Sequence, residues 1–132
     1  MKKILPLGKV YVSQSRIAHA GRGVFALTSI QKGELIEQCP VLEISEDDTA
    51  HVTEESLVTY MYYFDKKSVV ALGFGSIYNH TDTPNARYKE NLAEKIIEFW
   101  AIQDIQKNEE ITVSYAQDNK NDTTPLWFAV SR

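Results

Sequence analysis

Side chains able to bind a polar ligand stand close together between positions 73 and 85. This segment reads Gly-Phe-Gly-Ser-Ile-Tyr-Asn-His-Thr-Asp-Thr-Pro-Asn, and it places an amide beside an imidazole at Asn79 and His80. A lone Asn-His pair more often belongs to a polar turn whose histidine is hydrogen-bonded in the interior. A shared metal site is not expected, because His19, His51 and His80 lack the spacing of metal ligands.

Three further segments combine residue types that occur both in binding sites and in ordinary structure. Gly21-Arg22-Gly23 precedes a β-prone run, and its glycines would let the backbone approach a ligand closely, although a plain turn is the commoner meaning. Tyr115 ends the run Glu109–Tyr115, where a tyrosine usually packs against the core. Trp127 and Phe128 lie near the C-terminus, where aromatic residues either dock on the core or cover a ligand.

Short β-prone runs separated by Gly, Pro, Asn and Asp dominate the chain and predict a mainly β protein. One helix is predicted from about Thr53 to Phe64, because Thr53 suits an N-cap and the apolar residues after it recur at helical spacing. The acidic segment Glu46–Glu55 is predicted as a loop. The predicted strands are Val10–Val12, Val24–Ala26, Leu35–Cys39, Val41–Ile44, Val69–Leu72, Ile96–Ile102 and Ile111–Tyr115.

Two short segments of the chain resemble each other. Ile-Gln-Lys-Gly-Glu at 30–34 matches Ile-Gln-Lys-Asn-Glu at 105–109, so that Gly33 and Asn108 occupy the same position. Both residue types tolerate the left-handed backbone of a tight turn. We therefore predict that each segment is a turn that leads into a strand.

The composition favours a folded protein that does not bind nucleic acid directly. Apolar residues make up 43% of the 132 residues, enough for one domain with a modest core. The net charge of −4 lacks the basic surplus of nucleic-acid binders. Cys39 is the only cysteine, which excludes an internal disulfide and a cysteine-cluster zinc site. Neither a signal peptide nor a membrane-spanning apolar stretch is recognised, and a cytoplasmic protein is expected.

Taken together, the four segments resemble the SET domain family in order and approximate spacing. The run around Asn79-His80 and the Glu-Glu-Ile-Thr-Val-x-Tyr run carry the resemblance; the glycine turn and the terminal Pro-Leu-Trp-Phe support it. The chain looks like the compact viral and bacterial members, from about Val10 to Val130. The resemblance implies a single SET domain over residues 1–132, with several small β-sheets (the β-clip fold), a knot-like C-terminal crossing and one or two short helices.

The resemblance also implies an activity. SET domains are protein-lysine N-methyltransferases that transfer a methyl group from S-adenosyl-L-methionine, leaving S-adenosyl-L-homocysteine, and they need no metal. The expected substrate is a lysine of a histone or another basic protein. Tyr115 resembles the family's central catalytic tyrosine, and it would also border the cofactor. The other residues expected to bind the cofactor are Gly21, Arg22 and Gly23 at its methionine end, Asn79 and His80 at its ribose and adenine, and Trp127 and Phe128 over the adenine.

The lysine channel is expected to include Tyr60, Tyr88 and Val113, of which the last two would influence how many methyl groups are added. Thr81 replaces the commoner serine of the family motif and keeps the hydroxyl. An acidic insert at 46–52 stands where substrate peptides often lie in the family, although a solvated loop is its ordinary role. For a domain this small, a homodimer that completes the substrate groove is a further hypothesis.

Two other interpretations stay open at this point. The chain could be a catalytically inactive SET-like module that binds a peptide or S-adenosylmethionine, or a dimer-forming β protein without a cofactor. The enzyme is favoured because Tyr115, Asn79 and His80 are all intact, whereas inactive copies often lose one of them.

Overall fold

Nine strands form the chain's framework in a computed structural model that describes residues 3–45, 47, 61–64, 67–91 and 93–115. Asp47 is the one described residue in a helical conformation, which confirms the mainly β prediction. The strands are β1 (Val10–Gln14), β2 (Arg22–Ala26), β3 (Leu35–Ile44), β4 (Met61–Phe64), β5 (Lys67–Ala71), β6 (Asn79–His80), β7 (Ala86–Asn91), β8 (Ile96–Ala101) and β9 (Glu110–Val113).

The strands are arranged in two sheets, with the orders β1-β2-β9-β6 and β4-β5-β3-β8-β7. Every neighbouring pair is antiparallel except β6 and β9, which run parallel. In that pair Asn79 lies opposite Thr112, and His80 lies opposite Val113. The last described strand therefore lies between β2 and β6, next to both the glycine turn and the Asn-His pair.

The long strand β3 changes partner at Pro40. Residues 35–40 pair with β8, and residues 41–44 pair with β5. Proline has no backbone N–H, so it suits the point where one ladder of hydrogen bonds ends and the next begins. The two predicted strands Leu35–Cys39 and Val41–Ile44 are thus halves of one strand.

The core lies between the two sheets and contains the inner face of β8. Ile97, Phe99 and Ala101 are at most 3% exposed, whereas Glu98 and Trp100 between them are half-buried, as the two-residue period of a strand requires. The ring of Tyr78 stacks on Phe99 with centroids 4.1 Å apart. The backbone on either side of Tyr78 is therefore held against the core.

The two similar segments meet each other in the structure. Ile30 and Ile105 form an antiparallel bridge, in which each backbone nitrogen donates to the other's carbonyl oxygen at 2.8 Å. Gly33 has a φ of 88° and Asn108 a φ of 70°, so both adopt the left-handed backbone that the sequence predicts. The turn prediction is confirmed at both positions.

The bridge relates the two turns by an approximate two-fold axis. The backbone nitrogen of Gly33 donates to Ala101, and that of Asn108 donates to Ala26; each acceptor stands four residues before the bridging isoleucine of the other copy. Each turn is thus fastened to the strand that precedes the other turn.

The helix predicted from Thr53 to Phe64 is wrong over its last turn. Residues 61–64 form β4, which pairs with β5 from Met61 opposite Val70 to Phe64 opposite Lys67. The Met-Tyr-Tyr-Phe run suits a pleated strand, and its pairing with a neighbouring strand outweighs the helical spacing. Residues 53–60 lie outside the described part. Strands β6 and β7 were not predicted, and β9 ends at Val113 rather than at the predicted Tyr115.

Candidate active site

The parallel pairing of β6 and β9 brings His80 and Tyr115 into contact. The backbone N–H of Tyr115 donates to Nδ1 of His80 at 3.0 Å, and the two ring centroids are 5.1 Å apart. One residue after β6 ends, the N–H of Thr81 donates to the carbonyl of Val113 at 3.0 Å. The structure therefore joins the two segments that the sequence singled out for chemistry.

Because Nδ1 of His80 accepts a hydrogen bond, the neutral imidazole carries its proton on Nε2. Nε2 lies 3.3 Å from Oδ1 of Asp82, whose side chain is fully exposed. The ring is itself mostly buried, with 11% of the side chain exposed. His80 is thus fixed by one contact on each nitrogen, and its ring forms a wall beside Tyr115.

The hydroxyl of Tyr115 donates to the carbonyl oxygen of Tyr78 at 2.8 Å. Tyr78 is fully buried, and its own hydroxyl donates to Oε1 of Glu37 at 2.8 Å. Burial first, and the Glu37 charge second, raise the pKa of Tyr78 well above its usual value, so this phenol stays a donor. The carbonyl that accepts the Tyr115 hydrogen bond therefore belongs to a residue whose side chain is fixed.

A group of three tyrosines, which we call the tyrosine cluster, surrounds this point: Tyr62, Tyr88 and Tyr115. The rings of Tyr62 and Tyr88 meet edge to face with centroids 5.0 Å apart. The hydroxyl of Tyr62 donates to the Gly75 carbonyl at 2.7 Å, and that of Tyr88 lies 3.4 Å from the Tyr115 carbonyl oxygen. Tyr62 was missed from the sequence because its strand was taken for a helix; the predicted Tyr60 lies outside the described residues.

The turn between β5 and β6 needs a glycine at position 75. A Cβ built there would stand 2.6 Å from Cβ of Ala71 and 2.9 Å from Sγ of Cys39, both closer than atoms approach in proteins. The turn is also tied to β3, since the N–H of Phe74 donates to Oε2 of Glu37 at 2.9 Å. These contacts fix the positions of the Gly75 and Tyr78 carbonyls. The first accepts from the Tyr62 hydroxyl and the second from the Tyr115 hydroxyl.

A pocket of about 580 Å³ opens beside the glycine turn. We call it the cofactor pocket after the role proposed for it below. Gly21 has a φ of 76°, a conformation that favours glycine. The exposed side chains of Arg16, His19 and Arg22 give the rim a basic character. The pocket is lined by Val12, Ser13, Gln14, Ser15, Arg16, Ile17, Ala18, His19, Gly21 and Arg22.

Asn79 connects β6 to this turn. Its side chain is buried, and its Nδ2 donates both to the carbonyl of Arg22 at 2.8 Å and to Oε2 of Glu110 at 3.1 Å. A Cβ at Gly23 would collide with the same Glu110 carboxylate, so a side chain at this position would displace the carboxylate from its present place. Glu110 was not among the predicted site residues, because its burial depends on contacts distant in sequence.

Asn85 fixes the segment after His80 onto β9. Its Oδ1 accepts from the N–H of Thr112 at 2.9 Å, and its Nδ2 donates to the carbonyl of Glu110 at 2.9 Å. Asn85 is 4% exposed and both ends of its amide are used. It was noted only as part of the Asn-His run, and its structural role follows from the pairing of β6 with β9.

The other predicted site residues fall in three places. Gly21 and Arg22 line the cofactor pocket, Tyr88 belongs to the tyrosine cluster, and Val113 is fully buried in the core. Trp127 and Phe128 lie outside the described residues, as does the predicted C-terminal crossing.

Within the described ranges, no three His, Cys, Asp or Glu side chains come together in an arrangement able to hold a metal ion. No helix found in this part of the chain has the length and apolar character that crossing a bilayer demands.

Small β-sheets that set an Asn-His strand beside a strand leading to a tyrosine define a SET-type domain. A SET domain family profile matches residues 21–116. The histone H3 lysine-37-specific histone-lysine N-methyltransferase of Schizosaccharomyces pombe is 36% identical over 110 residues, which cover 82% of this chain and 70% of that protein. The chain belongs to the SET domain family. It is accordingly a protein-lysine methyltransferase of the class that uses S-adenosylmethionine.

Solved structures agree with this assignment. A candidate histone methyltransferase of Plasmodium falciparum matches with a TM-score of 0.67 and 34% identity, over 81% of this chain and 92% of that one. A chain of the polycomb repressive complex ctPRC2, in an autoinhibited conformation bound to S-adenosylmethionine, matches with a TM-score of 0.70 and 26% identity. The match covers 85% of this chain but 16% of that much longer one.

Proposed function

We propose that the tyrosine cluster and the cofactor pocket form one active centre, which methylates a lysine side chain of a histone or a similarly basic protein. The observation that carries this proposal is the Tyr115 hydroxyl, fixed on the Tyr78 carbonyl at 2.8 Å beside the Asn79-His80 strand. Its proton is directed at that carbonyl, so this oxygen would act toward an incoming amine as a hydrogen-bond acceptor.

The residues around the cofactor pocket fit S-adenosylmethionine. A volume of about 580 Å³ is in the range of small-molecule sites. The backbone of Gly21, Arg22 and Gly23 suits the methionine end, where the exposed guanidinium of Arg22 offers a partner for a carboxylate. Asn79 and His80 lie beside this turn and are proposed to hold the ribose and adenine. When bound, this cofactor supplies a methyl group made electrophilic by its sulfonium.

Trp127 and Phe128 stay predictions as adenine-binding residues. The absence of a catalytic metal is likewise part of the proposal, and undiminished methyl transfer after chelation with EDTA is the test of it.

The protein must bind the substrate lysine with its amine uncharged and aligned with the methyl group that it will accept. A free lysine has a pKa of about 10.4, so on the order of one in two thousand is uncharged at pH 7. Aromatic walls formed by Tyr62, Tyr88 and Tyr115 strip water from the amine and lower its pKa. Because methyl transfer is an in-line displacement, the fixed Tyr115 oxygen contributes mainly by orienting the nitrogen.

Tyr88 is proposed to limit the number of methyl groups added. It is 7% exposed, and its hydroxyl projects to the backbone of Tyr115, where it takes up space that a methylated amine would need. Val113, the other residue expected to influence this property, is fully buried behind the same segment. It would act through the position of Tyr115 rather than by direct contact.

Basic proteins are the proposed substrate class. The Schizosaccharomyces pombe relative acts, by its name, on lysine 37 of histone H3. The net charge of −4 suits the approach of a Lys/Arg-rich peptide. A homodimer and a cytoplasmic location stay predictions from the sequence, and action on histones would require the protein to reach chromatin.

A tritium-methyl transfer assay tests the proposal directly. Purified protein is incubated with labelled S-adenosylmethionine and core histones, with Tyr115→Phe in parallel. Label transferred by the wild type and lost in the variant supports the lysine methyltransferase. Calorimetric binding of S-adenosylmethionine without transfer to histones or to lysate proteins would instead identify an inactive binding module.

A further inference from the structure

Glu110 is a buried carboxylate held by neutral donors. It is 9% exposed, and its two oxygens accept from the Ser15 hydroxyl at 2.8 and 3.0 Å, from the Arg16 backbone N–H at 2.9 Å and from Asn79 Nδ2 at 3.1 Å. No cationic side chain among the described residues forms an ion pair with it. Such a costly buried charge calls for a specific role.

The carboxylate determines which way the Asn79 amide faces. A carboxylate accepts hydrogen bonds and donates none, so it selects the NH₂ end of the amide. The other Asn79 N–H is taken by the Arg22 carbonyl at 2.8 Å. Both donors are thereby turned inward, and the carbonyl oxygen Oδ1 is the end of the amide that is left to meet a ligand.

The same carboxylate anchors one wall of the cofactor pocket. Ser15 and Arg16 both line that pocket, and both donate to Glu110. Gly23 completes the arrangement, because any side chain there would displace the carboxylate. One residue thus connects the pocket wall, the glycine turn and the Asn-His strand.

We infer that Glu110 is a positioning residue for cofactor binding: it orients Asn79 so that Oδ1 accepts from a hydrogen-bond donor of the cofactor, and it holds the Ser15-Arg16 wall in place. This inference rests on the proposed function for its ligand. It assigns Glu110 no contact with the reacting atoms.

Glutamine cannot replace Glu110 in this arrangement, although its shape is nearly the same. If its oxygen faces the Arg16 N–H, its NH₂ opposes the NH₂ of Asn79. If it is flipped, its NH₂ opposes the Arg16 N–H instead. One donor is left facing a donor in either case, which makes Glu110→Gln a test of hydrogen-bond direction at constant volume.

The experiment measures S-adenosylmethionine affinity by calorimetry in wild type, Glu110→Gln and Ser15→Ala. We expect affinity to fall about tenfold in Glu110→Gln and less in Ser15→Ala. Glu43→Gln is the control. Glu43 is exposed on β3, with Oε1 3.5 Å from Nζ of Lys67, and its substitution is expected to leave affinity unchanged.

Nitrogen-15 spectra of the cofactor-free protein provide a second readout. The Asn79 side-chain NH₂ signal should shift in Glu110→Gln and stay in place in Glu43→Gln. Wild-type affinity or an unmoved Asn79 signal in Glu110→Gln would overturn the inference.

Ser15→Ala decides alone if Glu110→Gln does not fold: weakened binding supports the role of Glu110, and wild-type binding refutes it. A wild-type protein that binds no S-adenosylmethionine would contradict the proposed function instead, and the Asn79 spectrum would still report what Glu110 does.

Discussion

The imidazole Nδ1 of His80 accepts the backbone N–H of Tyr115, at 3.0 Å, just beyond the point where β9 ends. Here a side chain replaces the backbone hydrogen bonds between β6 and β9, which end at Val113. Tyr115 can therefore leave the strand without losing the hydrogen bond of its backbone N–H. His80 thus positions the backbone of Tyr115, in addition to the cofactor contact proposed for it.

Removal of the Tyr115 hydroxyl should reduce turnover and spare cofactor binding. In Tyr115→Phe the ring remains, but the oxygen that orients the amine is lost. We expect kcat to fall about a hundredfold or more, since small losses of alignment are costly in displacement reactions. Steady-state kinetics and calorimetry with S-adenosylmethionine measure the two effects separately.

Tyr11→Phe is the matched control for this variant. Its hydroxyl donates to Oδ1 of Asn108 at 2.9 Å on the exposed side of the protein, and Tyr11 is not among the residues that line the pocket. It should retain wild-type kcat. A Tyr115→Phe enzyme as active as Tyr11→Phe would remove Tyr115 from the mechanism.

The Tyr88 hydroxyl should limit methylation of the product. Tyr88→Phe empties the space next to the Tyr115 carbonyl while keeping the ring that meets Tyr62 edge to face. We expect mass spectra of a methylated peptide to shift from mono- toward di- and trimethyl-lysine. An unchanged product distribution at equal total turnover would show that the limit lies elsewhere, with Tyr62→Phe the next variant to examine.

The similarity of the two turns predicts which residues position 33 tolerates. Asn108 already occupies the equivalent place with a φ of 70°, close to the 88° of Gly33. We expect Gly33→Asn to change the free energy of unfolding by less than about 1 kcal/mol, and Gly33→Val to cost about 1–3 kcal/mol through strain. Urea denaturation of both variants checks the difference, and equal stabilities would contradict it.

Cys39 should resist thiol reagents in the native protein. It is fully buried, and desolvation, followed by the nearby Glu37 charge, raises the pKa of its thiol. For a thiol, a raised pKa favours the neutral form, so the reactive thiolate stays scarce even as the pH rises through the usual range of cysteine. Labelling at pH 8 should be slow in the native protein and rapid in urea. Fast labelling of the native protein would mean that the structure around Cys39 in β3 opens readily.

The sequence could predict those features that depend only on neighbouring residues. Gly33 and Asn108 were recognisable because left-handed turns select residue types directly. The contact of His80 with Tyr115 followed from a family resemblance rather than from any property of the two segments themselves. Strand β4 was mispredicted because the spacing of Met61 and Phe64 also fits a helix. The strand that pairs with it, β5, follows later in the sequence, so the pairing is not visible within β4 itself.

Tyr62 and Glu110 show where local signals fail. Tyr62 joins the site only once its strand is paired and its ring faces Tyr88. Glu110 looks like an ordinary charged residue of a Glu-Glu pair, yet it is buried by residues 31 and 94–95 positions away. Their roles come from tertiary contacts, which no pattern of neighbouring residues records.

The insertion of β9 between β2 and β6 ties ligand affinity to the whole molecule. The pocket is lined by residues between Val12 and Arg22, and its wall is held by Glu110 near the other end of the described chain. Closing so long a loop is the slow, all-or-none part of folding. A partly folded protein therefore has no half-formed pocket with which to hold a ligand. A compound that occupies the native pocket should raise the midpoint of thermal unfolding of the entire domain, so melting curves alone can rank cofactor analogues and inhibitors.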